Sequence, residues 1–227
     1  MTAELRIAAL VPMRHDSERV PGKNYRPLAG RPLYHHIVTT LLDSQYVDQV
    51  VIDTDSPLIL EDAQTHFPDV VLLERPDHLL GGDVPMNDVL LHDIECVAAD
   101  LYVQTHSTNP LLTTGTLDRA LAAFLSQRDE FDSLFTVTPL HTRLWSPDGK
   151  PLNHNPDVLE RTQDLPPVLE ENSCLYVFTA DTLRSRGNRI GERPLIYSLD
   201  PDEALDIDDE FDWKVVEAVV DTNRFQP

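Results

Sequence analysis

Apolar and polar positions fall in alternating blocks along the chain. Residues 7–11 form an unbroken apolar run, the pattern of a strand buried on both faces. Pro12 ends that run, and residues 13–28 are rich in Gly, Pro and charge, which predicts a loop. Pro32 suits the first turn of a helix reaching about Asp43, with Leu33, Ile37, Leu41 and Leu42 as its inner stripe. A second strand is expected at 49–53, followed by a helix with Ser56 as N-cap and Pro57 at its first position. The pattern then gives a strand at 70–73, a helix at 89–99, a strand at 101–104, a helix at 114–126 and a strand at 133–137. Strands alternating with helices predict an α/β fold around a parallel sheet.

The rhythm breaks at 139–172. This stretch holds Pro139, Pro147, Pro151, Pro156, Pro166 and Pro167 and shows no period, so it reads as an arm for a partner subunit or as a lid. Beyond it come a strand at 174–178, a short helix, a strand at 195–199 and a last helix at 209–220. At 227 residues the chain suits a single domain, 1–227, with 139–172 as its appendage.

Charge narrows the choice of partners. The chain carries 39 acidic and 18 basic residues, a net charge of −21. Such a surface repels nucleic acid and the anionic face of a membrane. No apolar run approaches the ~20 residues of a membrane span. Two cysteines, Cys96 and Cys174, give no disulfide framework, which fits reduced thiols and a cytoplasmic protein. The bases are unevenly spread: Arg14, Arg19, Lys23, Arg26 and Arg31 share a window with only Asp16 and Glu18, a local balance of +3. A cationic island on an acidic body suits a small anion, since a large polyanion feels the whole field.

That island lies just past the first predicted strand, where ligands bind in α/β sheets. Gly22 lets backbone approach an oxyanion, Arg14 and Arg19 can grip phosphate oxygens, and Lys23 adds a point charge. Asn24 follows Lys23 where a Walker loop needs Ser or Thr, which argues against a P-loop kinase. No Gly-x-Gly-x-x-Gly is present, so a dinucleotide cofactor is not expected. Asp206 and Asp208, two apart, can face one way from a strand end and share a hard cation such as Mg²⁺. Acids in the first turn of the last helix are the competing reading, and Asp53-x-Asp55 is a competing pair. The basic loop favours the metal reading, because Mg²⁺ is held by one or two carboxylates together with phosphate oxygens.

Arg14, Ser17, Pro21, Gly22, Lys23 and Asn24 stand in register with the Ala-Arg-x-x-Ser-x-x-x-Pro-Gly-Lys-Asn signature, with Met13 for Ala. The segment resembles that of the acylneuraminate cytidylyltransferases, and its Ser17–Lys23 spacing is also similar to the sister enzymes that activate an octulosonic acid. Thr54-Asp55-Ser56, Arg75-Pro76 with Asp83 and Asp88, the block 106–112, Arg161 to Pro166, Glu171-Asn172 and Asp206-Ile207-Asp208 resemble further family elements in order. His106 and Leu112 depart from the family's Gln and Arg, and Glu18 precedes Arg19 where many members carry Lys, which bears on the sugar.

The resemblance implies a three-layer, Rossmann-like, mostly parallel sheet of the nucleotide-diphospho-sugar transferase type, with an extended dimerisation arm and a homodimer. It implies transfer of CMP from CTP to an acidic nonulosonic sugar. Activation of an octulosonic acid, or nucleotide binding without turnover, are the alternatives. Arg14, Lys23 and Asp208 are then the expected catalytic groups, with Mg²⁺ on Asp206 and Asp208. Ser17, Arg19, Asn24, Arg75 and Asn87, together with Arg14 and Lys23, are expected to bind nucleotide. His106, Arg143, Gln163 and Tyr176 are expected to meet the sugar.

Overall fold

A computed structural model describes residues 5–221. Seven strands form one sheet: β1 (Ile7–Met13), β2 (Gln49–Thr54), β3 (Val71–Glu74), β4 (Leu101–Thr105), β5 (Ser133–Leu140), β6 (Val168–Phe178) and β7 (Pro194–Ser198). Their order is β3-β2-β1-β4-β6-β5-β7. Six helices join them: α1 (Leu33–Leu42), α2 (Pro57–His66), α3 (Met86–Cys96), α4 (Thr114–Ser126), α5 (Ala180–Arg186) and α6 (Glu210–Asp221).

The period-two alternation of β1 builds the three layers. Ile7, Ala9, Val11 and Met13 face one side and pack with Tyr34, Ile37 and Leu41 of α1, Ile59 and Ala63 of α2, and Leu117, Leu121 and Phe124 of α4. Ala8 and Leu10 face the other side, with Leu90 and Ile94 of α3 and Leu183 of α5. A third cluster of Val20, Leu28, Leu33, Leu111, Ile207, Trp213 and Val216 fastens α6 over the loop that follows β1. Ser56 caps α2 as expected, accepting from the Ile59 N–H at 3.3 Å, and Pro57 opens the helix.

The expectation of a parallel sheet holds for every strand but one. β6 runs antiparallel to both β4 and β5. The chain leaves β5 at Leu140, makes its proline-rich excursion and returns as the pairing partner of the strand it left, Leu140 opposite Val168. No crossover helix intervenes, so the return is antiparallel. The outer parts of the stretch 139–172 are thus ribbon, and 141–167 is the excursion proper. It hangs beyond the carboxyl end of β5, tied back by His141 Nδ1 to the Leu165 carbonyl at 3.0 Å. A bulge interrupts the ribbon where Ser173 adopts φ +58°, and Asn172 pins it: its Oδ1 accepts from Thr136 Oγ1 at 2.6 Å and its Nδ2 donates to Thr138 Oγ1 at 3.1 Å.

β1 pairs with β2 on one side and β4 on the other, both parallel. Chain order reverses there, and in open α/β sheets that switch point is where ligands bind, beyond the carboxyl ends of the strands. Among the described residues no helix is long and apolar enough to cross a membrane.

Candidate active site

The loop after β1 is held at both ends. His15 N–H donates to Asp55 Oδ1 at 2.6 Å, and the His15 ring meets Ser56 Oγ at 2.8 Å. Gly22 takes φ +66°, and a Cβ there would come within 2.7 Å of the Tyr25 ring, so both conformation and space call for glycine. Ser17 Oγ accepts weakly from Val20 N–H at 3.4 Å, closing the turn. A side chain on Gly82 would meet the Arg14 guanidinium at 3.6 Å, which sets the 81–84 loop beside Arg14.

The basic loop meets the acidic pair. Arg19 Nη2 binds Asp208 Oδ1 at 2.8 Å, and Lys23 Nζ donates to the carbonyl of Ile207, between the two aspartates, at 2.6 Å. Arg26 binds Glu210 at 2.6 Å and stacks over Trp213 at 4.1 Å, so the same loop grips the first turn of α6. The aspartate segment is fixed from the other side by Ile207 N–H on the Thr108 carbonyl at 2.9 Å and Asn109 Nδ2 on the Leu205 carbonyl at 3.3 Å. Burial lowers the Lys23 ammonium from its ordinary value, and the charges of Asp206 and Asp208 oppose that. Burial raises Asp206, as does Asp208, while Thr108 and Lys23 pull it down. Asp206 Oδ1 is buried without a hydrogen-bond partner, which suits an atom waiting for a cation.

Beyond β4 a second set of groups converges. Arg189 Nη1 donates to Gln104 Oε1 at 2.7 Å, which turns Gln104 Nε2 toward His106 Nε2 at 3.0 Å. His106 Nε2 therefore accepts, and its proton sits on Nδ1. Burial and the flanking charges of Arg189 and Lys23 push His106 down to about 4, so it is neutral near pH 7 and a poor general base. Arg189 lies 3.6 Å over the ring of buried Tyr176, whose hydroxyl binds Glu171.

The expected site residues fall into three groups. Arg14, Ser17, Arg19 and Lys23 lie together on the loop, with Asp206 and Asp208 across from Arg19 and Lys23. Two further residues expected to read the nucleotide are held by protein partners. Asn24 is 7% exposed and spends its amide on the Arg14 carbonyl at 2.7 Å and on Ser107 Oγ at 2.6 Å. Arg75 is 5% exposed and ion-paired with Asp53, because a buried carboxylate at the end of β2 needs a counter-charge. Asn87, in the first turn of α3, accepts from Arg189 N–H at 3.4 Å. His106 and Tyr176 come together, whereas Arg143 and Gln163 stay on the excursion. Arg143 donates there to the Glu160 carbonyl, and Gln163 lies exposed in a short 3₁₀ turn. Arg189 escaped the sequence reading; only its position over the Gln104–Tyr176 register singles it out.

Two further features lie outside this site. His35, Asp62 and His66 bring possible metal-ligating atoms within 4.8 Å between α1 and α2, where Asp62 already accepts from Tyr34 and His35. A cavity of about 450 Å³, lined by Arg31, His36, Thr40, Asp43 and Leu112, includes none of the expected site residues.

Known proteins resemble most of the chain. A family model described as cytidylyltransferase matches residues 8–219. N-acylneuraminate cytidylyltransferase A of Danio rerio is 28% identical over 218 residues, covering 93% of this chain and 50% of that protein, so the chain spans about half the length of that relative. CMP-N,N'-diacetyllegionaminic acid synthase of Legionella pneumophila is 28% identical over 239 residues, covering 97% of this chain and 98% of the relative. The structure of CMP:2-keto-3-deoxy-manno-octonic acid synthetase complexed with CTP shares the fold with TM-score 0.68 at 16% identity, covering 96% of this chain and 99% of that one.

Proposed function

We propose that this chain, which belongs to the cytidylyltransferase family, transfers CMP from CTP to the anomeric hydroxyl of an acidic nonulosonic sugar of sialic acid type. The observation that carries the reading is the meeting of loop and acidic pair, Arg19 on Asp208 at 2.8 Å and Lys23 on the Ile207 carbonyl at 2.6 Å. A basic loop and an acidic pair brought together at the sheet's switch point suit a metal-bound triphosphate.

The anomeric oxygen forms a bond to the α-phosphorus, the bond from that phosphorus to the bridging oxygen breaks, and pyrophosphate leaves with the electron pair. The hydroxyl proton passes to water. Two anions must be brought together, so positioning and charge stabilisation carry most of the rate. Arg14 and Lys23 neutralise charge on the α-phosphate and the leaving pyrophosphate, and Arg19 assists from the edge. Asp206 and Asp208 would hold Mg²⁺, with the orphaned Asp206 Oδ1 as one ligand atom. The ion would shield the triphosphate's negative charge. His106 offers a neutral Nδ1–H, a donor to the sugar.

The test is pyrophosphate release from CTP and Mg²⁺ with N-acetylneuraminate, other nine-carbon acids and an eight-carbon octulosonic acid. Release with a nine-carbon acid is expected. Turnover with the eight-carbon acid alone would move the assignment to that class, and CTP binding with no turnover on any sugar would remove transfer altogether. Asp208→Asn is expected to cut metal-dependent turnover by more than about tenfold, ~1.4 kcal/mol, while leaving the melting temperature close to that of the parent.

A further inference from the structure

We propose that Arg189 binds the carboxylate of the acceptor sugar and sets the preference for acids, an inference that rests on the transfer reading above. Arg189 follows Gly187, which ends α5 in the left-handed conformation at φ +61°. From there its guanidinium reaches back over the sheet. Tyr176 covers one face at 3.6 Å, Gln104 takes one N–H at 2.7 Å, and Asn87 fixes the backbone N–H at 3.4 Å. The side chain is thus held in place from three elements, β6, β4 and α3.

What it lacks is a counter-charge. The chain has 39 acidic residues, yet among the described residues Arg189 takes part in no ion pair. A half-buried cation without a carboxylate is costly on a body that could supply one so readily. A guanidinium has five N–H donors in a planar fork, and such an edge suits a carboxylate bidentately. The position is also right for chemistry. Gln104 bonds both Arg189 and His106, so the guanidinium and that imidazole share one neighbour. In a 2-keto sugar acid the anomeric carbon carries both the reactive hydroxyl and the carboxylate. Gripping the carboxylate at Arg189 leaves the hydroxyl on the same carbon, free to meet the α-phosphate.

Arg189→Ala and Arg189→Lys separate this role from a structural one. With N-acetylneuraminate and an octulosonic acid as probes, the alanine variant is expected to raise the sugar KM by about 30-fold or more, with CTP affinity within about twofold of the parent. The parent is expected to prefer each acid over its methyl ester, and the variant to lose that preference, which a general loosening of the fold does not produce. The lysine variant keeps the charge but not the fork, and serves if the alanine variant does not fold; its KM should lie between the two. A KM within about threefold of the parent in both variants overturns the site and leaves transfer standing. Calorimetric binding of the same sugars, in the presence of a non-hydrolysable CTP analogue, distinguishes the other failure. Arg189-dependent sugar binding without pyrophosphate release removes transfer and keeps the site. No sugar binding at all overturns both.

Discussion

The buried charges of this chain show how a proton can settle an imbalance. Asp53, Arg75 and Asp93 meet beneath the sheet's edge, and Arg75 pairs with Asp53. One cation against two buried carboxylates leaves Asp53 Oδ2 and both oxygens of Asp93 without donors. A proton on Asp93 can bridge Asp53 Oδ2 and one of the Asp93 oxygens. Burial first, then the charge and hydrogen bond of Asp53, push Asp93 up to about 9 against the pull of Arg75. The folded chain thus keeps a proton that the unfolded chain sheds near 3.8. The folded state binds more protons between those values, so stability from this group is present below about 4 and falls as pH rises toward about 9. Asp93→Asn keeps the shape and the donor without the titration. Melting temperatures followed from pH 4 to 9 should decline less steeply in the variant, with its advantage widest at the alkaline end. A steeper decline would mean that Asp93 is ionised in the fold and serves as a second partner for Arg75.

At the scale of elements, α6 decides whether the acidic pair stays in place. Trp213 is almost fully buried, packs with Val20, Leu28 and Ile207, and carries Arg26 over its ring at 4.1 Å. Trp213→Ala should cost about 3–5 kcal/mol in urea unfolding, while Phe211→Ala, on an exposed face of the same helix, should stay within about 0.5 kcal/mol. Equal effects would show that α6 is not held by this seam. The elements readable from the sequence were those whose pattern is local. The α4 stripe gives Thr114–Ser126, and Ser56-Pro57 marks the start of α2. The first half of β6 was hidden because Glu170, Glu171, Asn172 and Ser173 break the apolar alternation; what makes them strand is pairing with β5 across a bulge. The same holds for the site. The spacing of Arg14 to Lys23 is local and could be read, as could Asp206-x-Asp208. Arg189 follows a segment, 184–188, that looks like any charged helix end, and its meaning arises only from the register that sets Gln104 opposite Tyr176. The partner that holds the Asn24 amide, Ser107, is likewise far away in sequence.

For the whole molecule, the −21 charge and the excursion pull in opposite directions on assembly. Like-charged copies repel, so a dimer needs a surface that escapes the general field. The excursion 141–167 is such a surface. It holds Arg143, Lys150 and Arg161 against Asp148, Asp157, Glu160 and Asp164, a net of −1, leaving −20 to the rest of the chain. It also concentrates exposed apolar side chains: Trp145 at 50%, Leu152 at 63% and Leu159 at 93% exposed lie within a few turns of chain, held in shape by Asn153 on Thr142 and Leu144. A self-supported, nearly neutral, apolar projection is suited to cross onto a twofold mate, where the same patch meets its own complement. Light scattering at micromolar concentration is therefore expected to give twice the mass of one chain, more firmly as salt rises and screens the acidic bodies. Leu159→Glu, which adds charge to that patch and disturbs no core packing, should shift the population toward monomer without lowering the melting temperature of the separated chain. A monomer in the parent protein at that concentration, at low and at high salt alike, would assign the excursion to a lid over its own crevice instead.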